Sequence, residues 1–129
     1  MAVKFVLDTS AYSDFNRGLN GLEKFMNTEN ELYMPIIVIG ELRAGFELGS
    51  KKQENEQLLC DFLDAPNVQV LKITDKTTKK YASIYKQLRT DGKPIGTNDM
   101  WIAALCLEND LSLLTTDRDF QNVANLTCL

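Results

Sequence analysis

The stretch Val3-Lys4-Phe5-Val6-Leu7-Asp8 decides the fold class. Five residues rich in β-branched and aromatic side chains form a short apolar run, and the run stops at an acid. A run of this length with almost no polar alternation reads as a strand buried on both faces, and such strands belong to parallel sheets covered by helices. Asp8 then stands at the strand's carboxyl end, where open parallel sheets bind their ligands.

The rest of the chain supports this reading. Residues 32–34, 68–73 and 111–115 are further strand candidates, and residues 126–129 a final one. Helical spacing runs through residues 10–17, 22–27, 36–48, 52–63, 75–89 and 99–108, with one helical turn at 119–123. Gly18 and Gly21 break the first pair of helices. Pro35 suits the first position of the helix over 36–48, Thr74 or Asp75 can cap the helix running to about Arg89, and Thr97 or Asn98 can cap the helix over 99–108. The expected apolar stripes are Leu58, Leu59, Phe62 and Leu63 on one helix and Tyr81, Ile84, Tyr85 and Leu88 on another. Alternating strands and helices predict one α/β domain over residues 1–129, with a mainly parallel central sheet flanked by helices.

Composition excludes several chemistries. The 129 residues contain no histidine, which removes Ser-His-Asp and Cys-His catalysis and every His-ligated zinc site. Cys60, Cys106 and Cys128 form no Cys-x-x-Cys pair. Cys60 and Cys106 lie in apolar runs and read as buried small hydrophobes, which suits a reducing compartment. The first apolar run is too short for a signal peptide and the longest uncharged run too short to cross a bilayer, so a cytoplasmic protein with no membrane association is expected. Gly40 to Gly45 has P-loop spacing, but Phe46-Glu47 stands where Lys-Ser/Thr is required. No Gly-x-Gly-x-x-Gly occurs, and Asp8-Thr9-Ser10 lacks the second acid of a phosphatase Asp-x-Asp pattern.

What remains is carboxylates. Asp8 and Asp117 each follow an expected strand, Asp99 opens a helix, and Glu41 sits in the otherwise apolar Ile39-Gly40-Glu41-Leu42. Each has an ordinary explanation alone: Glu41 as a solvent-facing or Arg43-paired residue, Asp99 as a complement to the helix dipole, Asp8 and Asp117 as turn residues. Together they raise a sharper question. Like charges about 4 Å apart repel by roughly 4 kcal/mol at an effective dielectric near 20. A converging set must therefore stay partly protonated or hold a divalent cation. Oxygen donors without imidazole or thiolate select Mg²⁺ or Mn²⁺, and a pair of such ions supports in-line attack on a phosphodiester.

Four blocks in order carry a resemblance. Asp8-Thr9-Ser10, Ile39-Gly40-Glu41-Leu42-Arg43-Ala44-Gly45, Asn98-Asp99-Met100-Trp101-Ile102-Ala103-Ala104 and Leu114-Thr115-Thr116-Asp117-Arg118-Asp119-Phe120 resemble the PIN-domain ribonucleases, and most closely the VapC-type toxins of prokaryotic toxin–antitoxin pairs. The resemblance spans residues 5–120. It implies a PIN fold, an endoribonuclease that hydrolyses RNA by water activated on Mg²⁺ or Mn²⁺, homodimerisation, and a cognate antitoxin as inhibitor. It places the catalytic and metal-binding acids on Asp8, Glu41, Asp99 and Asp117, with Asp119 as a further candidate because this end of the motif varies among members. Thr9, Ser10, Asn98 and Thr116 fall on neighbouring polar positions that orient ligands.

The net charge of −4 is distributed unevenly. Residues 72–93 carry seven basic residues against two acids. Lys76, Lys79, Lys80 and Lys86 lie opposite the apolar stripe and form a candidate RNA-binding face, or an ordinary solvated one. Arg43 and Arg118, beside the supposed site acids, either bind phosphate or pair with a carboxylate. RNA, with transfer RNA among the candidate targets, is the expected substrate. A non-catalytic PIN-fold RNA-binding or scaffold protein and a DNA- or structure-directed nuclease are the alternatives. Antitoxin docking is expected near residues 36–46 and the helices after Asp8.

Overall fold

In the computed structural model, which describes every residue except Met1 and Asn20, β1 (Lys4–Leu7) runs through the middle of the molecule. Phe5, Val6 and Leu7 are fully buried, as expected of a strand covered on both faces. The chain continues as α1 (Thr9–Asn16), a 3₁₀ turn (Leu22–Phe25), β2 (Glu31–Pro35), α2 (Ile36–Leu48), α3 (Lys52–Leu63), β3 (Val68–Leu71), α4 (Asp75–Asp91), α5 (Thr97–Glu108), β4 (Ser112–Leu114) and a second 3₁₀ turn (Arg118–Asn122). The four strands form one sheet in the order β3-β2-β1-β4, and every pairing is parallel.

This order places a switch point beside β1. The chain leaves β1 for β2 on one side and returns much later to β4 on the other. The register Leu7↔Leu114 sets the carboxyl ends of β1 and β4 level with each other. The residues that follow, Asp8 and Thr115 to Asp117, therefore emerge side by side.

α5 is the most buried helix: Met100 and Ile102 through Cys106 are all in the core. α4 packs along it in the opposite direction. Thr77, near the start of α4, donates to Glu108 at the end of α5 at 2.6 Å, and Tyr81 stacks on Trp101 with ring centres 4.0 Å apart. Gly92, in the left-handed region at φ 66°, ends α4 and begins the short return to α5.

Several expectations need correction. Pro35 ends β2 and caps α2 from outside, so Ile36 is the first helical residue. Gly96, not Thr97 or Asn98, stands at the cap of α5, without a side-chain bond. Thr74 does cap α4, with Thr77 Oγ1 accepting from its amide at 3.0 Å. Leu58 and Tyr85 are exposed rather than buried, Tyr85 lying under the Arg89 guanidinium, 5.6 Å from the ring centre. Cys106 is buried, but Cys60 is half-buried, with its thiol donating to Glu56 Oε2 at 3.2 Å. Residues 22–27 reduce to the 3₁₀ turn Leu22–Phe25. The last residues contribute one parallel bridge, Leu113↔Cys128, in place of a full strand.

Candidate active site

Asp8 is almost fully buried, with 4% of its surface exposed. It stays there because its oxygens have partners, as a buried carboxylate requires. Oδ1 accepts from the Ala11 amide at 2.8 Å and caps α1. Ser10 Oγ donates to both oxygens, at 2.9 and 3.1 Å. Thr115 Oγ1 donates to Oδ2. Burial raises the Asp8 carboxyl above its ordinary range; the Thr115, Ala11 and Ser10 bonds oppose the rise, and the charge of Asp117 adds to it.

Asp99 sits in the first turn of α5 and is the most perturbed acid of the group. Its carboxyl is pushed up to about 6, chiefly by burial and then by the charges of Asp117, Glu41, Asp8 and Asp119. Acids from the ends of β1 and β4 and from α2 thus all act on the one acid of the first turn of α5. Glu41 reaches the same place from α2. Its Oε1 accepts from Thr9 Oγ1 at 2.7 Å, and it lines, with Gly96, Thr97, Asn98 and Asp99, a cleft of about 300 Å³. Asp117 is held by its own loop: its amide donates to Thr115 Oγ1 at 3.0 Å, and its Oδ1 caps the amide of Asp119 at 2.9 Å.

The supporting polar residues divide. Thr9 holds Glu41 and Ser10 holds Asp8. Thr116 reaches Ser10 Oγ, at 3.2 Å, and no acid. Asn98 is exposed and lines the cleft. Thr115, absent from the expected set, is the residue that joins two of the acids. The parallel register of β1 with β4 was the missing signal, since Leu7↔Leu114 brings the next pair, Asp8 and Thr115, level.

The basic candidates also divide. Arg43 faces α3, where its Nε and Nη2 grip Glu56 at 3.0 and 2.9 Å. Lys76, Lys79, Lys80 and Lys86 are exposed. Lys76, beside Thr77, lies near the Glu108 end of α5, whose axis runs about 14 Å from there to Asp99, whereas Lys80 adjoins Tyr81, which stacks on Trp101 near the Asp99 end. Arg118 is exposed beside Asp117 and makes no ion pair among the described residues. A smaller cavity of about 160 Å³ opens at the far end of β4, and Asp110 is its single carboxylate.

Among the described residues, no three carboxylates or thiols are gathered to hold one ion together. The donor set nevertheless suits a hard cation. Mg²⁺ keeps several waters and needs only one or two carboxylates alongside them, and the mutual repulsion felt at Asp99 is the condition that a cation relieves.

The PIN domain model matches residues 5–126. The chain belongs to the PIN-domain family. Within that family it is similar to Ribonuclease VapC1 of Haemophilus influenzae, at 31% identity over 98 residues, covering 75% of this chain and 72% of that protein. Ribonuclease VapC2 of the same species is 29% identical over 127 residues, covering 96% and 95%. A solved structure described as VapBC2 from Rickettsia felis bound to a DNA fragment from their promoter shares the PIN fold, with a TM-score of 0.88 over 98% of both chains at 23% identity. The expected PIN fold and VapC resemblance are thus borne out. Among the described residues of this PIN domain, no helix is long and apolar enough to cross a membrane.

Proposed function

We propose that this PIN domain is a divalent-metal-dependent endoribonuclease, the toxin of a toxin–antitoxin pair, acting in the cytoplasm as a homodimer. One observation carries the reading: a carboxyl held up to about 6 by burial and by four other acids, at the carboxyl edge of a parallel sheet. The ribonuclease names of the VapC relatives support it.

Asp8, Asp99, Asp117 and Glu41 would hold Mg²⁺ or Mn²⁺, with Asp119 at the margin. When bound, such an ion supplies activation of water and neutralisation of charge on the phosphate. The protein's part is preorganisation. Thr115, Ser10 and the Ala11 amide fix both oxygens of Asp8. Thr9 fixes Glu41 at the mouth of the cleft. Burial and the surrounding acids let Asp99 keep its proton to a higher pH than an ordinary carboxyl.

An antitoxin would dock on the groove between α1 and α2. That groove, about 310 Å³, is lined by Tyr12, Leu42 and Phe46 among others. The Tyr12 hydroxyl is buried there; Asn16 influences it but completes no hydrogen bond of ordinary geometry. Solved complexes of the VapBC type, such as the one from nontypeable Haemophilus influenzae, support a partner of this kind.

The test is cleavage of RNA by purified protein. Mn²⁺ should support it and excess EDTA should stop it, and Asp8→Asn and Asp99→Asn should abolish both cleavage and Mn²⁺ binding by titration calorimetry. Undiminished cleavage in EDTA would refute the metal reading. A wild-type protein that binds RNA but neither binds Mn²⁺ nor cleaves would be the non-catalytic alternative, and matched DNA oligonucleotides cleaved in preference to RNA would make it a DNA nuclease.

A further inference from the structure

A second cleft, about 310 Å³, adjoins Asp117 on the side away from Glu41. Its walls are built by two features of the fold. On one side, the last residues lie along β4: Leu113 donates its amide to Thr127 O and accepts from the Leu129 amide, both at 2.8 Å. This brings half-buried Cys128 and exposed Leu129 alongside the strand's carboxyl end. On the other side, the 3₁₀ turn Arg118–Asn122 is anchored by fully buried Phe120 and by the Asp117 cap on Asp119. Anchoring Phe120 inward leaves its neighbours Arg118 and Gln121 at the surface, lining the cleft.

Two facts distinguish these side chains. Arg118 lies between Asp117 and Asp119 in sequence, yet pairs with neither, and the Gln121 amide makes no hydrogen bond among the described residues. Elsewhere the exposed arginines are engaged: Arg17 with Asp14, Arg43 with Glu56, Arg89 with Tyr85. The cleft thus has an apolar wall, an unengaged amide with both a donor and an acceptor, and an unengaged guanidinium, all next to the acids. An apolar wall beside an unengaged amide and a guanidinium suits a nucleobase, since single-stranded RNA is read by stacking on side chains such as arginine and by hydrogen bonds to base edges. A guanidinium at the rim suits a backbone phosphate.

We propose that this cleft receives the base of a nucleotide adjoining the scissile phosphate, with Gln121 reading the base edge and Arg118 holding the backbone phosphate. The inference rests on the ribonuclease reading and adds a specificity-determining residue to it. It also gives the strand a path between the Glu41–Asp99 cleft and the Gln121 cleft, across the acids.

The test measures binding apart from cleavage. Fluorescein-labelled rA6, rC6 and rU6 are titrated by anisotropy into the full chain with Ca²⁺ in place of Mg²⁺. Wild type should favour one base over the others by about fivefold or more, the lower end of what one well-made base contact discriminates. Gln121→Ala should bring the three affinities together, while Arg118→Ala should weaken all three and make the salt dependence shallower by about 0.7 in log–log slope. Both residues are exposed, so both variants should fold as wild type by circular dichroism. Equal affinities in wild type, or an unchanged ranking in Gln121→Ala, would overturn the proposal. If the ranking is present and Gln121→Ala removes it, but Mn²⁺ supports no cleavage, the ribonuclease reading fails and the cleft stands only as a base-reading site, without a scissile phosphate beside it. If wild type cleaves and Gln121→Ala keeps the wild-type ranking, only this one fails.

Discussion

Thr115 Oγ1 donates to Asp8 Oδ2 across 107 positions of sequence, and the same oxygen accepts from the amide of Asp117. One hydroxyl thereby ties the acid at the end of β1 to the loop that carries the acid after β4. A carboxylate buried as deeply as Asp8 is expensive unless its oxygens are bonded, so this contact both keeps Asp8 ionisable and aims it.

Thr115→Val keeps the shape and removes the hydroxyl. It should lower Mn²⁺ affinity by about 10–100-fold, the usual effect of losing a group that orients a ligand. Thr115→Ser should restore most of it. Calorimetry on both variants distinguishes this from general destabilisation, because a merely structural threonine would leave the affinity of the folded fraction unchanged.

The pH dependence of the metal-free protein follows from Asp99. Its carboxyl lies near 6 in the folded protein against 3.8 ordinarily. Between about pH 4 and pH 6 the folded state therefore holds a proton that the unfolded chain has released. Stability from this group falls as pH rises through that window and stays lost above it. Asp99→Asn removes the effect. Urea denaturation in EDTA should show the variant gaining about 1–2 kcal/mol on wild type between pH 4 and pH 7, after allowing for solvent screening. A constant difference across that range would contradict the placement of Asp99 among the other acids.

Arg43 should be dispensable for RNA. Its guanidinium is occupied by Glu56 on α3. This ion pair is partly exposed, so Arg43→Ala should cost less than about 1 kcal/mol and leave KM for RNA unchanged. A marked rise in KM would mean that the pair opens for substrate.

Lys76, at the start of α4, should also matter little. Because α4 runs antiparallel to α5, Lys76, beside Thr77, lies toward Glu108 and away from Asp99. Lys76→Ala should bind a hexanucleotide as wild type does, by the same anisotropy measurement. A tenfold loss would show that RNA extends along the whole helix.

The fold was legible because its signals are local. Residues 52–63 read as a helix from spacing alone and form one with those bounds. The β1 run, fully apolar after Lys4, reads as a doubly covered strand and is one. Misreadings cluster where the boundary depends on a neighbour. Tyr85 continues the apolar period of α4 but lies exposed, where its hydroxyl accepts from Arg89. Leu58 continues the stripe of α3 past the edge of the core, which Leu59 occupies.

By itself the sequence determined which residue types can do chemistry here and where each sits on its own element: acids at two strand ends, at one helix start and within one apolar helix, with no histidine to replace them. Those are one-dimensional facts, set by hydrophobic period and composition. Which hydroxyl serves which acid was decided only in three dimensions. Thr115 and Thr116 are the same residue side by side, and nothing local distinguishes them. The parallel register of Leu7 with Leu114 does, by turning one toward buried Asp8 and leaving the other at the surface on Ser10. The same holds for the cations: Arg43 stands two positions from Glu41 and Arg118 one from Asp117, yet the packing of α3 against α2 engages the first with Glu56, while the second makes no ion pair among the described residues.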